Sequence, residues 1–266
     1  MKSKLNKRNI CIAITLICIA LMLVYEIVGV EAVFGNIEDK ALKNGIDITV
    51  TRLLGAVVFV VLIAYSPYRV LSPFNKGFWR ALVFSLPAFV VAVNNFPIYS
   101  LVFGLARVTS PPWRVMLLAL ECLAVGMFEE TCFRGFVFLS FLEKRRETKS
   151  GQFMAIVLSS AVFAVVHLFN IFLGASPLAV ILQIGYSFLI GAMCAVVLMK
   201  SANIWLCVAA HAIFNFCGAL IPNCGEGSIW EIFTVVLTVV VSIAVAAYFV
   251  YEFFKIKASE TDRIYH

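Results

Sequence analysis

Six charged or polar side chains sit inside stretches of this 266-residue chain that otherwise read as lipid-buried helix. Glu129, Glu130 and Arg134 fall in AVGMFEETCFRGFVFLSF, His167 in SSAVFAVVHLFNIFL, and His211 with Asn215 in IWLCVAAHAIFNFCGAL. An ionisable group at membrane depth costs about 2.5 kcal/mol or more, so each marks a functional site by default. The chain has three His, and apart from His266 both lie in apolar helix. Solubility does not explain imidazoles placed there.

The rest of the chain supports a membrane reading. Hydrophobic residues make up 62% and charged ones 14%, where a soluble domain carries about a quarter charged. Apolar runs of about 20 residues without period-2 alternation favour helices over a barrel. The fold expected is an all-α, polytopic membrane helical bundle. About eight spans are predicted, at roughly 9–30, 47–65, 79–96, 113–142, 153–172, 177–199, 203–221 and 229–254. The third is the weakest, because Pro87, Asn94, Asn95 and Pro97 interrupt it. The first follows Lys2, Lys4, Lys7 and Arg8 like a signal peptide, yet lacks a good small-x-small cleavage site, so it reads as an uncleaved anchor.

Charge sets the orientation. With the N-terminus inside, fifteen Lys and Arg fall in inside segments and four in outside ones, while Arg52 and Arg134 lie within spans. This obeys the positive-inside rule and places both termini in the cytoplasm of a multi-pass protein, expected in the plasma membrane. The net charge of +6 does not point to nucleic acid, since the charges gather in short loops and make no basic face. The eight Cys form no CxxC pair, so neither a disulfide framework nor a zinc knuckle is indicated.

Spacing turns the polar residues into chemistry. Glu130 with Arg134, and His211 with Asn215, are i,i+4 pairs that each share a helix face. Glu130 and Arg134 can neutralise each other, and on that ground alone they read equally well as a structural ion pair. Glu129 lies about 100° round the helix, without a partner on its own segment. Counted from the cytoplasmic ends of their spans, Glu129 is ~20 Å up, His167 ~21 Å, His211 ~12 Å and Asn215 ~18 Å. With tilt these levels overlap, so one cavity among the fourth, fifth and seventh spans can hold them all. A site in the cytoplasmic half would suit a cytoplasmic substrate tail.

A carboxylate and an imidazole can deprotonate water, and a second imidazole with an amide can donate to an oxyanion. No Ser stands beside a His as in a triad. Cys207 precedes His211 by four residues and Cys132 lies between the glutamates and Arg134, but small apolar Cys are ordinary in membrane helices. Two His and a Glu also form an acceptable zinc set, against which HExxH is absent. Glu121, two turns before Glu129, is expected to be locally paired or to line the cavity mouth.

The motifs EETCFR at 129–134, FAVVH at 163–167 and HAIFN at 211–215 resemble, in order, the EExxxR, FxxxH and HxxxN or HxxxD signatures of the CAAX protease and bacteriocin-processing family. That family of intramembrane endopeptidases includes the type II CAAX prenyl endopeptidases. The resemblance covers a protease core over 113–221, and the apolar runs add N-terminal transmembrane helices over 1–112 and a last helix with a cytoplasmic tail over 222–266. It implies that Glu129 and His167 activate water, that His211 and Asn215 form the oxyanion hole, and that Glu130 and Arg134 support them. No cofactor is expected, with zinc the alternative. The substrate implied is a lipidated protein with a CAAX-like C-terminus or a small leader-type peptide. Competing readings are a non-catalytic scaffold or bacteriocin-immunity factor, and a proton-coupled carrier.

Overall fold

A computed structural model describes residues 37–74, 77–172 and 174–265, together with Ile17, Leu21, Val24, Tyr25 and Gly35. The predicted first span and its reading as an anchor therefore lie largely outside the described residues.

The chain is a bundle of long helices. α1 (Lys40–Tyr65) begins seven residues before the apolar run, because Asp39 caps it by accepting from the amides of Ala41 and Leu42. α2 (Phe78–Asn94) is only 17 residues long and ends as the chain approaches Pro97. A short α3 (Ile98–Val102) and strand β1 (Ala106–Val108) lead to α4 (Pro112–Glu130). A π-helical segment, Thr131–Phe138, and α5 (Leu139–Glu143) continue α4 without a break. α6 (Lys149–Val166) tightens into a 3₁₀ turn at His167–Ile171. α7 (Pro177–Ser201), α8 (Ile204–Cys224), strand β2 (Gly225–Gly227), α9 (Ile232–Lys255) and α10 (Ala258–Asp262) complete the chain.

Five helices, at Lys40–Tyr65, Lys149–Ile171, Pro177–Ser201, Ile204–Cys224 and Ile232–Lys255, are long and apolar enough to cross a membrane. The protein is an integral membrane helical bundle. Two more of the eight expected spans are present as helices of other character. α2 is short for a bilayer, and the α4–α5 rod carries Arg114, Glu121, Glu129, Glu130 and Arg134. Exposed apolar side chains such as Ile181, Leu182, Ile232 and Val240 are the expected lipid-facing surface.

The two ends of the bundle differ. At one, β1 and β2 pair antiparallel with Arg107 opposite Glu226. At the other, the basic loops and the C-terminal tail interlock. Tyr68 donates to Glu143 at 2.8 Å, the Arg69 amide to the Ile264 carbonyl, and Lys149 to the Phe253 carbonyl, while Lys200 pairs with Glu260. The largest packed core lies toward this basic end and includes Phe138, Leu139, Leu142, Leu198 and Ile204. Where α4 crosses α8, a Cβ at Gly126 would stand 3.2 Å from both the Ala212 nitrogen and the Val208 carbonyl. Gly126 thus lets the two backbones approach closely and brings the glutamates to His211.

Candidate active site

The first element of the site is the turn from α4 into its π segment. The Thr131 hydroxyl bonds back to the Met127 carbonyl at 2.7 Å, at the residue where the wider winding begins. Single π turns inside α-helices recur at functional sites. Here the change of winding starts immediately after Glu129 and Glu130 and carries Arg134 inward.

Arg134 Nη1 stands 3.2 Å from Glu130 Oε1, with the two side chains 2% and 0% exposed. The pair is an ion pair by distance, although Arg134 Nη1, Arg134 Nη2 and Glu130 Oε2 have no hydrogen-bond partner among the described residues. The guanidinium lies over the Phe163 ring, 4.1 Å from its centroid, which supplies the remaining contact. Gly191 leaves room for it, since a Cβ there would come within 2.8 Å of Arg134 Nη2.

Glu130 also holds His211. Its Oε1 accepts from His211 Nδ1 at 2.6 Å, and His211 Nε2 then faces Glu129 Oε2 at 3.5 Å. Glu129, without a partner on its own helix, thus has one on α8. Two carboxylates flank one imidazole, and one guanidinium stands behind.

His167 closes α6, with its Nδ1 2.8 Å from the Phe163 carbonyl. Donation from Nδ1 leaves Nε2 free to accept. No hydrogen bond or ion pair joins His167 to Glu129 among the described residues. Both line one cavity of about 530 Å³ together with His211 and Asn215. The structure therefore brings the four cavity-facing residues of the motifs together, with Glu130 and Arg134 packed behind them.

Sequence reasoning gave Phe163 no role beyond the FAVVH motif. Phe163 touches three residues of the site: its carbonyl holds His167, and its ring meets Arg134, His167 and His211. Its i,i+4 spacing to His167 was the available signal. The cavity also has walls beyond the fourth, fifth and seventh spans. Asn94 and Asn95 of α2, Gln183 and Tyr186 of α7, and Thr238 of α9 line it. The Asn pair, which weakened the third span as an apolar run, in fact marks a wall. Asn95 donates to the Phe214 carbonyl at 2.9 Å and Asn94 to Thr238 Oγ1 at 3.1 Å.

Of the two alternatives for Glu121, the structure shows no ion pair among the described residues and places it on the cavity lining. The cavity reaches exposed Asn223 and Trp230 near the β1–β2 end, whereas the basic loops lie at the opposite end.

Cys207, fully buried, donates to the Cys194 carbonyl at 3.3 Å, and neither it nor Cys132 lines the cavity. Ligand atoms of Glu130, Cys194 and Cys207 lie within 4.8 Å of one another, a possible metal set by proximity. Arg134 and His211 already engage that carboxylate.

The arrangement defines a class: a membrane helical bundle with a Glu/His/Asn cavity among its helices. Residues 110–217 match the family model described as Type II CAAX prenyl endopeptidase Rce1-like. Over that stretch the chain is similar to this CAAX protease family, whose members are intramembrane endopeptidases. No significant match was found among curated proteins or among solved structures.

Proposed function

We propose that the protein is a glutamate-dependent intramembrane endopeptidase that hydrolyses a peptide bond with water activated by Glu129 and His167. The observation that carries this reading is the meeting of Glu129, His167, His211 and Asn215 in one cavity. Water bonded to His167 Nε2 gives its proton to Glu129 as its oxygen attacks the scissile carbonyl. Asn215 and the proton-bearing face of His211 donate to the oxyanion that develops. Glu129 then hands its proton to the leaving amine as the C–N bond breaks.

The reading takes no metal. Its substrate is a CAAX-like, prenylated C-terminus or a small leader-type peptide. The positive-inside orientation places both termini in the cytoplasm of a cell-membrane protein.

The test is cleavage of a panel of prenylated and leader-type peptides by the detergent-purified protein, read by mass spectrometry. Glu129→Gln and His167→Ala are each expected to lose about 10²-fold or more of the rate while the protein stays folded, and a chelator to change nothing. Cleavage surviving in Glu129→Gln, or lost to chelator and restored by zinc, would overturn the reading.

A further inference from the structure

We infer that Glu121 is a specificity residue that receives a cationic group of the substrate, a Lys or Arg side chain or a peptide N-terminal ammonium. The inference rests on the endopeptidase reading of the same cavity and narrows its substrate class. Glu121 is a half-buried carboxyl within a membrane helix, and it lines the cavity without an ion pair among the described residues. Every other carboxyl buried in the rod is accounted for, since Glu130 meets Arg134 and His211, and Glu129 meets His211.

The surroundings point the same way. Among the described residues lining the cavity there is no Lys or Arg, and the only carboxyls are Glu121 and Glu129. Two cations stand nearby without forming an ion pair to it. The Arg52 guanidinium lies 5.1 Å from the Phe128 ring centroid, and Arg114, seven residues before Glu121 on the same face of α4, acts on it only at longer range. A carboxylate left unpaired in low dielectric is costly, and a substrate cation removes that cost on binding. Tyr186 and Trp230 also line this cavity, and aromatic rings attract cations.

Spacing sets the register. Glu121 precedes Glu129 by eight residues, about 12 Å along the helix. An extended peptide rises about 3.3 Å per residue, so the cation belongs within about four residues of the scissile bond. The same map disfavours a chain that ends there in a free carboxylate. The three residues released from a CAAX terminus would bring that carboxylate into a cavity whose described lining has two glutamates and no Lys or Arg. The structure thus favours a basic peptide over a free C-terminal tripeptide.

The test uses the full-length purified protein, wild type beside Glu121→Gln and Glu121→Lys. Matched fluorescent peptides carry Lys, Gln or Glu at each of the four residues on either side of the bond, with free or acetylated N-termini. Cleavage gives KM and kcat, and anisotropy gives Kd independently of turnover. Wild type should favour a Lys peptide over its Gln twin about tenfold in KM, with kcat little changed, and Glu121→Gln should shrink that to within about twofold. Glu121→Lys should reverse the order toward the Glu peptide. If acetylation alone removes the preference, the cation is the N-terminal ammonium; if it does not, it is the side chain. Equal KM and Kd for Lys and Gln peptides in wild type would overturn the subsite while leaving the endopeptidase reading intact. Selective binding without any cleavage would sink the endopeptidase reading and leave the subsite standing.

Discussion

Arg134 and Glu130 show why a buried ion pair must be judged by what surrounds it. Neither Arg134 Nη has an aligned hydrogen-bond acceptor among the described residues, so the ring of Phe163 and the charge of Glu130 carry the contact. Removing one partner strands the other, at a cost of about 3–5 kcal/mol. Glu130→Gln should therefore lower the unfolding midpoint in detergent, and Glu130→Gln with Arg134→Met should recover most of it. Peptide hydrolysis should stay lost in both, because each removes the carboxylate that holds His211 Nδ1. Recovered activity in the double variant would reduce the pair to a structural tie. These charges were legible in the sequence because an ionised side chain in an apolar run is costly enough to call for a partner or a function. The partner of Glu129 was not, since His211 is 82 residues away and meets it only where Gly126 lets α4 and α8 touch.

At the scale of elements, two departures from regular helix frame the chemistry. α4 widens into a π segment directly after the glutamates, and α6 narrows to a 3₁₀ turn at His167. Apolar periodicity predicts both as plain helix, because a change of winding leaves hydropathy untouched and depends on packing against neighbours. The ties of α2 were equally hidden. Asn94 and Asn95 fasten its end to α9 and α8, so the short helix forms a cavity wall. A double-mutant cycle of Asn94→Ala and Thr238→Ala should show coupling of about 0.6 kcal/mol, the usual size of a hydrogen bond between membrane helices. It is read from unfolding in mixed micelles. Coupling near zero would mean that the wall is held by packing alone.

For the whole molecule, the packed core and the cavity occupy different parts of the bundle. The core thickens toward the basic loops, where the C-terminal tail locks against residues 68–69, 149 and 200. The cavity runs the other way, to the β1–β2 pairing. If the basic loops are cytoplasmic, an epitope inserted after Ser228 is accessible on intact cells, and one inserted after Glu147 only after permeabilisation. The reverse pattern would put the cavity mouth in the cytoplasm and the positive charges outside.

By itself, the sequence determined that this chain is a helical membrane bundle, which side chains are polar at depth, and that Glu130 and Arg134 share a face. These follow from composition and short-range periodicity, which act within one helix. Only the tertiary structure decided that Glu129 meets His211, that Asn94, Gln183 and Thr238 wall the cavity, that Glu121 faces it, and toward which end it runs. Those outcomes depend on how helices distant in sequence cross, tilt and approach. A single glycine or a change of helical winding alters them while the hydropathy of the chain stays the same.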